Sequence, residues 1–277
     1  MPPEIPDDID ELVNFCLRED IGTGDITAEL IPEAKTLSAK IISRDTGVFC
    51  GRPWADEVFR QVDATLKVEW IVTEGGELSP GQQIAQIDGS ARSILTAERT
   101  ALNLLQTLSA AATISRQYAS LVEHTRVKLL DTRKTLPSLR RAQKYAVRLG
   151  GCFNHRMGLF DAFLIKENHI AACGGIELAI AKARSLHPTK PVEIEVQSLD
   201  ELQQAISGGA DIVMLDNFDL EDILKAVELN RGSAKLEASG GIEADGLVTI
   251  AESGVDYISL GALTKNCRAI DLSLLVE

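Results

Sequence analysis

Charged side chains recur where apolar, strand-like runs end in the second half of the chain. The first run, VKLLDTRKT (127–135), ends in Asp131, Arg133 and Lys134. Later runs carry further polar residues toward the same end: Lys166, Glu167, His169, Glu193, Glu195, Asp216, Glu237 and Ser239. In α/β-barrel enzymes the active site lies at the end of the barrel where the C-terminal ends of the parallel strands meet. Because buried ion pairs are weak sources of stability, a shared site explains these charges better than unrelated ion pairs do.

Cations are concentrated in one part of an otherwise acidic chain. The 277 residues include 28 Lys+Arg and 41 Asp+Glu, which gives a formal charge of −13. Between Arg99 and Asn168 there are twelve Lys or Arg and four Asp or Glu, a local charge of +8. This basic island predicts a small anionic ligand held at one place. The overall acidity argues against a nucleic-acid partner, whose phosphates need a basic face.

The composition limits the class of protein further. Hydrophobic residues make up 45% and charged residues 25%, which is typical of a globular chain. No apolar run approaches the ~20 residues that a membrane span needs, and the acidic start MPPEIPDDIDELV lacks the apolar segment of a signal peptide. The five cysteines are widely spaced without a C-x-x-C pair, which argues against disulfides and structural zinc. We therefore expect a cytoplasmic protein with no membrane partner.

The elements that must position these residues alternate between strand and helix from residue 127 onward. Six strand-like runs are predicted, at 127–135, 162–170, 191–198, 211–218, 234–242 and 256–264. Helical runs of eleven or more residues separate them, with glycines at several of their ends. Such βα units predict a parallel sheet covered by helices. No G-x-G-x-x-G follows the first strand, so an incomplete barrel on the TIM plan is favoured over a Rossmann fold.

The first half is predicted to be a separate α+β domain. Helices are expected in 7–22, 52–63 and 90–125, and strands joined by Gly/Pro turns in 36–51 and 65–89. We place this domain at residues 1–108 and the barrel at 109–265.

One segment of that first domain suggests a different function. EGGELSPGQQIAQIDG (74–89) resembles the half-hairpin repeat of biotinyl and lipoyl carrier modules. Those modules present a lysine at a hairpin tip, and no lysine lies between Lys67 and Lys128. The pattern is therefore interpreted as structural turn chemistry.

Motifs spread along the chain resemble those of the quinolinate phosphoribosyltransferase family. They are GDIT (24–27), LTAERTALNLLQ (95–106), DTRKT (131–135), RLGG…NHRMGL (148–159), LIKENHI (164–170), EIEV (193–196), MLDN (214–217), EASGGI (237–242) and ISLGALT (258–264). The resemblance covers nearly the whole chain, in order. It implies an N-terminal α/β sandwich, an incomplete α/β barrel and a C-terminal segment, 266–277, that packs back on the first domain. It also implies a homodimer with shared active sites.

The resemblance assigns roles to individual residues. It places Arg99, Arg133, His155, Arg156 and Lys166 around the quinolinate carboxylates, with Arg99 acting on the partner's substrate, and Lys134 toward the phosphates. Lys134, Lys166, Glu195 and Asp216 are the expected catalytic residues. Further substrate contacts are expected from Thr132, Ser239, Gly240, Gly241, Leu260, Gly261 and Ala262. Without the resemblance, Arg99 would be interpreted as a solvated helix residue.

The implied reaction joins quinolinate to phosphoribosyl pyrophosphate and gives nicotinate mononucleotide, pyrophosphate and carbon dioxide. Arginine suits this substrate pair because its fork binds carboxylates and phosphates in bidentate fashion. Glu195 and Asp216 are expected to stabilise the ribose cation, hold its hydroxyls or recruit Mg²⁺. The glycosylated ring nitrogen is itself an electron sink, so no organic cofactor is expected.

Three alternatives stay open at this point. The first is a Schiff-base barrel aldolase with Lys166 as the nucleophile, which borohydride trapping would reveal. The second is a non-catalytic binding protein on the same fold, which the full set of charged strand ends disfavours. The third is a related phosphoribosyltransferase that uses another heteroaromatic acid.

Overall fold

A computed structural model describes residues 3–277. The chain divides into two compact units, and the division does not follow the chain order. The first unit comprises the chain up to Arg116, Thr135–Gly151 and Leu263–Glu277, and the second comprises Gln117–Lys134 and Cys152–Ala262. The α/β fold class, with an N-terminal sheet domain and a parallel-stranded domain after it, is confirmed.

The first unit contains an antiparallel four-stranded sheet and, in the described residues of its N-terminal part, three α-helices. In chain order its elements are α1 (Ile9–Ile21), β1 (Thr36–Ser43), β2 (Gly47–Val48), α2 (Arg52–Val62), β3 (Lys67–Trp70), β4 (Glu77–Leu78), β5 (Gln83–Ser90) and α3 (Ala91–Leu121). The last residues of α3 belong to the second unit. β1 pairs with β5, and β5 with β3, in antiparallel register. Phe49, Trp54 and Phe59 are buried in the core.

The second unit contains a parallel sheet whose strands alternate with helices along the chain. The elements that follow along the chain are β6 (Lys128–Leu130), α4 (Arg140–Leu149), β7 (Phe163–Ile165), α5 (Glu167–Cys173), α6 (Ile176–Leu186), β8 (Val192–Val196), α7 (Leu199–Ser207), β9 (Ile212–Asp216), α8 (Leu220–Asn230), β10 (Lys235–Ser239), α9 (Ala244–Glu252), β11 (Tyr257–Ser259), α10 (Ala262–Lys265) and β12 (Leu272–Val276). The strand order is β6-β11-β10-β9-β8-β7, with every pair parallel. All six predicted strands are present.

Three elements of this second stretch lie wholly or mostly in the first unit: α4, α10 and β12. α4 follows the first barrel strand in sequence, but it lies within Thr135–Gly151, and its Tyr145 ring packs edge-on against Trp54 with centroids 5.1 Å apart. Gly150, just after α4, approaches α3 so closely that a Cβ there would lie 2.5 Å from the Ala112 carbonyl oxygen. The first of the six βα units therefore does not supply a covering helix to the second unit.

The C-terminal strand completes the sheet of the first unit. β12 pairs antiparallel with β1, with Leu274 opposite Ile41, so the sheet order is β12-β1-β5-β3. Beyond the strand, the Glu277 amide donates to the Ser38 carbonyl at 2.9 Å. No helix within residues 3–277 is long and apolar enough to cross a membrane.

Candidate active site

The C-terminal ends of the parallel strands carry the polar residues singled out in the sequence. Lys166 follows β7 directly, Glu195 lies in β8, and Asp216 and Ser239 end β9 and β10. Asp216 and Ser239 are register partners, so their side chains occupy one face of the sheet. Because parallel strands present their C-terminal ends at one edge, the arrangement places these four residues at the same end of the second unit.

Lys166 is held by a carboxylate of the neighbouring strand. Its ammonium forms an ion pair with Glu195 Oε2. The Lys166 side chain is 44% exposed and that of Glu195 is 9% exposed, so the lysine presents a charge at the mouth of the site. The Lys166 nitrogen is thus engaged by a carboxylate, whereas a Schiff-base lysine must present a free nitrogen lone pair to a carbonyl. The ion pair favours Lys166 as an anion-binding cation over the aldolase alternative.

A buried carboxylate fixes the segment that carries His155. Asp131 is fully buried just after β6, where it accepts hydrogen bonds from Asn154 Nδ2 at 2.6 Å and from the His155 amide at 2.9 Å. Beside it, the Thr132 hydroxyl accepts the Lys134 amide proton at 3.0 Å. Two segments that are distant in sequence are thereby joined at one strand end.

Arg156 and Arg133 are close enough for their positive charges to interact. Arg156 follows His155, and burial together with the positive charge of Arg133 lowers the pKa of its guanidinium. The loop beyond is closed by Asp161, which accepts the amide protons of Met157 and Gly158 at 2.6 and 2.9 Å. Two guanidinium groups held against their mutual repulsion form a ready receptor for an anion with two carboxylates.

A glycine turn after β10 opens a second recess at the same strand ends. A cavity of about 310 Å³ is lined by Ser239, Gly240 and Gly241 together with the start of α9. Both glycines have positive φ, 103° and 53°. A helix N-terminus approached by a glycine turn presents backbone N–H groups that suit a phosphate. The recess is therefore a candidate phosphate pocket.

Replacing Gly240 by alanine is expected to destabilise this turn. An added Cβ would lie 2.2 Å from Asn217 Oδ1 and 2.9 Å from the Asn217 amide nitrogen, and the left-handed φ adds strain of about 1–3 kcal/mol. We expect the midpoint of thermal unfolding to fall. Gly246 is the matched control, because it lies in α9 with open space around its Cβ position. Gly246→Ala should raise the midpoint, since alanine is favoured in helices by about 0.5–1 kcal/mol; equal shifts in both variants would contradict the steric argument.

The remaining predicted site residues lie in two other places. Leu260 and Gly261 follow β11, where the buried Leu260 donates its amide proton to the Leu130 carbonyl at 2.8 Å, and Ala262 begins α10. Arg99 lies on α3 in the first unit, with a side chain 57% exposed and 3.7 Å from Glu98 Oε1. Arg99 is therefore not part of the second unit, which carries the other predicted site residues.

Three further carboxylates at the strand ends were expected to share the site, but sequence reasoning assigned them no individual role. Asp131 orients the His155 segment, as described above. Glu193 and Glu237 are buried in β8 and β10 and flank the His155 imidazole, with Glu193 Oε2 2.9 Å from its Nε2. The available signal was a charged residue on the inward face of a strand whose neighbours are apolar.

Taken together, the fold and this geometry define a two-unit α/β protein whose parallel strands gather cations and carboxylates at their C-terminal ends. Sequence profiles make the class specific. The profile described as "Quinolinate phosphoribosyl transferase, C-terminal domain" matches residues 111–275, and the corresponding N-terminal domain profile matches residues 25–109.

Individual relatives agree with these profiles. The chain is 40% identical over 266 residues to the probable nicotinate-nucleotide pyrophosphorylase (carboxylating) of Bacillus subtilis, covering 95% of this chain and 92% of the relative. It is 39% identical to the Mycobacterium leprae enzyme of that name, covering 95% of each. The solved structure of the Francisella tularensis nicotinate-nucleotide pyrophosphorylase superposes with a TM-score of 0.95 at 51% identity, covering 99% of this chain and 98% of that one. The chain belongs to the quinolinate phosphoribosyltransferase family.

Proposed function

We propose that this protein transfers the phosphoribosyl group of phosphoribosyl pyrophosphate to quinolinate and releases pyrophosphate and carbon dioxide, giving nicotinate mononucleotide for NAD synthesis. The observation that carries the proposal is the pair of neighbouring guanidiniums, Arg133 and Arg156. A further cation, Lys166, follows β7 at the same strand ends. Adjacent carboxylates on a pyridine ring match that arrangement of cations. The enzymatic names of the relatives support the same reaction.

The chemistry requires cations for binding and carboxylates for the transition state. Arg133, Arg156 and Lys166 bind the diacid, and His155, which accepts the Arg156 amide proton, supports Arg156, while Lys134 and the turn Ser239–Gly241 face the phosphates. The ring nitrogen attacks the anomeric carbon as pyrophosphate leaves, and Glu195 and Asp216 oppose the positive charge that develops on the ribose. The nitrogen is then cationic, so the adjacent carbon can lose carbon dioxide, hold the electron pair and accept a proton without an organic cofactor.

Magnesium fits the carboxylate side of this site. Asp216 is a partly exposed carboxylate at a strand end, and Glu195 lies on the next strand, already paired with Lys166. Mg²⁺ prefers one or two protein carboxylates combined with substrate phosphates and water. Asp216 would bind the ion directly. Glu195 would bind it after giving up its ion pair with Lys166. The ion would supply charge neutralisation on the pyrophosphate leaving group.

We further propose that two subunits form a homodimer in which Arg99 completes the partner's site. Arg99 is exposed and belongs to the first unit, whereas the other cations of the site belong to the second unit. An isologous dimer repeats any such contact twice, so both sites are completed together. The cytoplasmic location stays a prediction.

A direct assay tests the proposed reaction. The purified protein is incubated with quinolinate, phosphoribosyl pyrophosphate and Mg²⁺, and nicotinate mononucleotide and carbon dioxide are measured. Stoichiometric appearance of both products is the expected result, and omission of quinolinate is the control. If the protein forms no mononucleotide although its circular dichroism spectrum shows that it is folded, the proposal is overturned.

Asp216→Asn is expected to lower kcat about 100-fold, because loss of one electrostatic stabiliser of the transition state costs ~3 kcal/mol. Quinolinate binding, measured alone by calorimetry, should change little, since a carboxylate does not attract the diacid. Asp200→Asn is the control, because Asp200 is an exposed residue in the first turn of α7. An unchanged kcat in Asp216→Asn would limit Asp216 to a structural role.

A further inference from the structure

Beneath the cations of the site lies a cluster of three titratable side chains. A nitrogen of His155 and one oxygen from each of Glu193 and Glu237 lie within 4.8 Å of one another. Glu237 is fully buried, and the side chains of Glu193 and His155 are 3% and 9% exposed. They line a cavity of about 300 Å³ together with Arg156.

The hydrogen bonding of His155 argues against a metal ion at this cluster. Its Nδ1 accepts the Arg156 amide proton at 2.7 Å, so the ring proton lies on Nε2. That nitrogen is 2.9 Å from Glu193 Oε2 and 3.7 Å from Glu237 Oε1, so its proton lies among the carboxylates. A metal-ligating histidine has the opposite arrangement, in which the nitrogen away from the metal donates a proton.

The cluster is connected directly to Arg156. The Arg156 amide donates to the imidazole, and the guanidinium is close enough to Glu193 to feel its negative charge. Glu193 therefore offsets part of the repulsion between Arg156 and Arg133. A second ionised carboxylate at Glu237 would instead add negative charge where the substrate diacid must bind.

We propose that Glu193 and Glu237 are positioning residues for Arg156 that act through His155: the two buried carboxyl groups hold the imidazole from below and share one proton, so that the floor of the site does not carry two negative charges. The inference rests on the proposed function, since it assumes that Arg156 meets quinolinate. Both residues act through His155 and Arg156 and do not touch the reacting atoms.

The surroundings of Glu237 support this assignment. Burial and the nearby charge of Glu193 raise its pKa to about 8, against the opposing effects of His155 and the Ser259 hydroxyl. The charged or titratable groups that face the cluster come from β6, β8, β11 and the segment before β7: Lys128, Glu193, Tyr257, His155 and Arg156. Two like charges this close and this buried are avoided when one group retains its proton.

The test is the pH dependence of quinolinate binding, measured by calorimetry without the second substrate. Above pH 8 the wild-type protein gains the second negative charge, so the dissociation constant should rise about tenfold between pH 7 and pH 9, the limit for one linked proton. Glu237→Gln keeps the shape but cannot ionise, so its affinity should match wild type at pH 7 and stay nearly constant to pH 9. Glu228→Gln, on the exposed face of α8, is the control and should retain the wild-type profile.

The outcomes separate this inference from the proposed function. A wild-type protein that fails to bind quinolinate at pH 7 would overturn the proposed function. Binding with the same pH profile in wild type and in Glu237→Gln would overturn only the positioning role. Should Glu237→Gln fail to fold, infrared spectroscopy of the wild type decides: a protonated-carboxyl band is expected at pH 7 and lost by pH 9, and its absence at pH 7 would reject the proposal.

Discussion

Nicotinate should be a substrate about 10⁴-fold poorer than quinolinate in kcat/KM, because a site built to pair polar groups rejects an analogue that leaves them unpaired. Nicotinate lacks the carboxylate next to the ring nitrogen. Without it, Arg133 and Arg156 would face each other in the occupied site, where burial and their mutual repulsion already lower the pKa of Arg156. The same missing carboxylate also removes the leaving group of the decarboxylation.

The measurement compares initial rates of mononucleotide formation from the two acids at equal enzyme concentration. Arg156→Lys is the informative variant, because lysine keeps the charge but loses the planar fork that binds a carboxylate in bidentate fashion. The ratio of kcat/KM for quinolinate to kcat/KM for nicotinate should be smaller in this variant than in the wild-type protein, while the fold is retained. Comparable kcat/KM values for the two acids in the wild-type protein would contradict the proposed specificity.

Two variants that are inactive as homodimers should regain enzymatic activity when their subunits are exchanged to form mixed dimers. Arg99→Ala and Lys166→Ala are each expected to be nearly inactive as homodimers, since each lacks a substrate cation in every site. After equal subunit exchange about half of the dimers are mixed, and each mixed dimer has one site with both cations intact if Arg99 acts across the interface. Activity should therefore recover to about one quarter of the wild-type value.

The mixed dimers must be verified directly, for example by isolating a doubly tagged species. A mixture of wild-type and Lys166→Ala subunits provides the reference for exchange. If verified Arg99→Ala/Lys166→Ala dimers stay as inactive as their parents, Arg99 acts within its own subunit or not at all.

The strands and their polar ends could be predicted because both depend on local sequence. Apolar runs such as PVEIEVQS specify a buried strand, and the alternation of side chains places Glu193 and Glu195 on one face. Which partner each glutamate meets is a tertiary property. Glu195 pairs with Lys166 of β7, while Glu193 meets His155 from the segment before that strand. Residues two apart thus have different partners, and no local pattern distinguishes them.

The unit to which α4 belongs is also a tertiary property. Its sequence, LRRAQKYAVRL, predicts a helix after the first barrel strand, and periodicity gives no information on which surface that helix covers. Lys144 illustrates the difficulty, because a lysine normally indicates an exposed position whereas this one is 1% exposed. The decisive contacts are those of Tyr145 with Trp54 and of Gly150 with α3, which involve residues far away in sequence.

The pairing of β12 with β1 has a consequence for the order of events during synthesis. The ladder joins residues 39–43 to residues 272–276, so the first sheet lacks an edge strand until the whole barrel sequence has been translated. Closing a loop of this length costs conformational entropy and makes the contact slow to form. Domains usually fold one after another as the chain leaves the ribosome. Here the N-terminal unit is the first to begin and the last to be completed, so a nascent chain exposes the free edge of β1 throughout elongation.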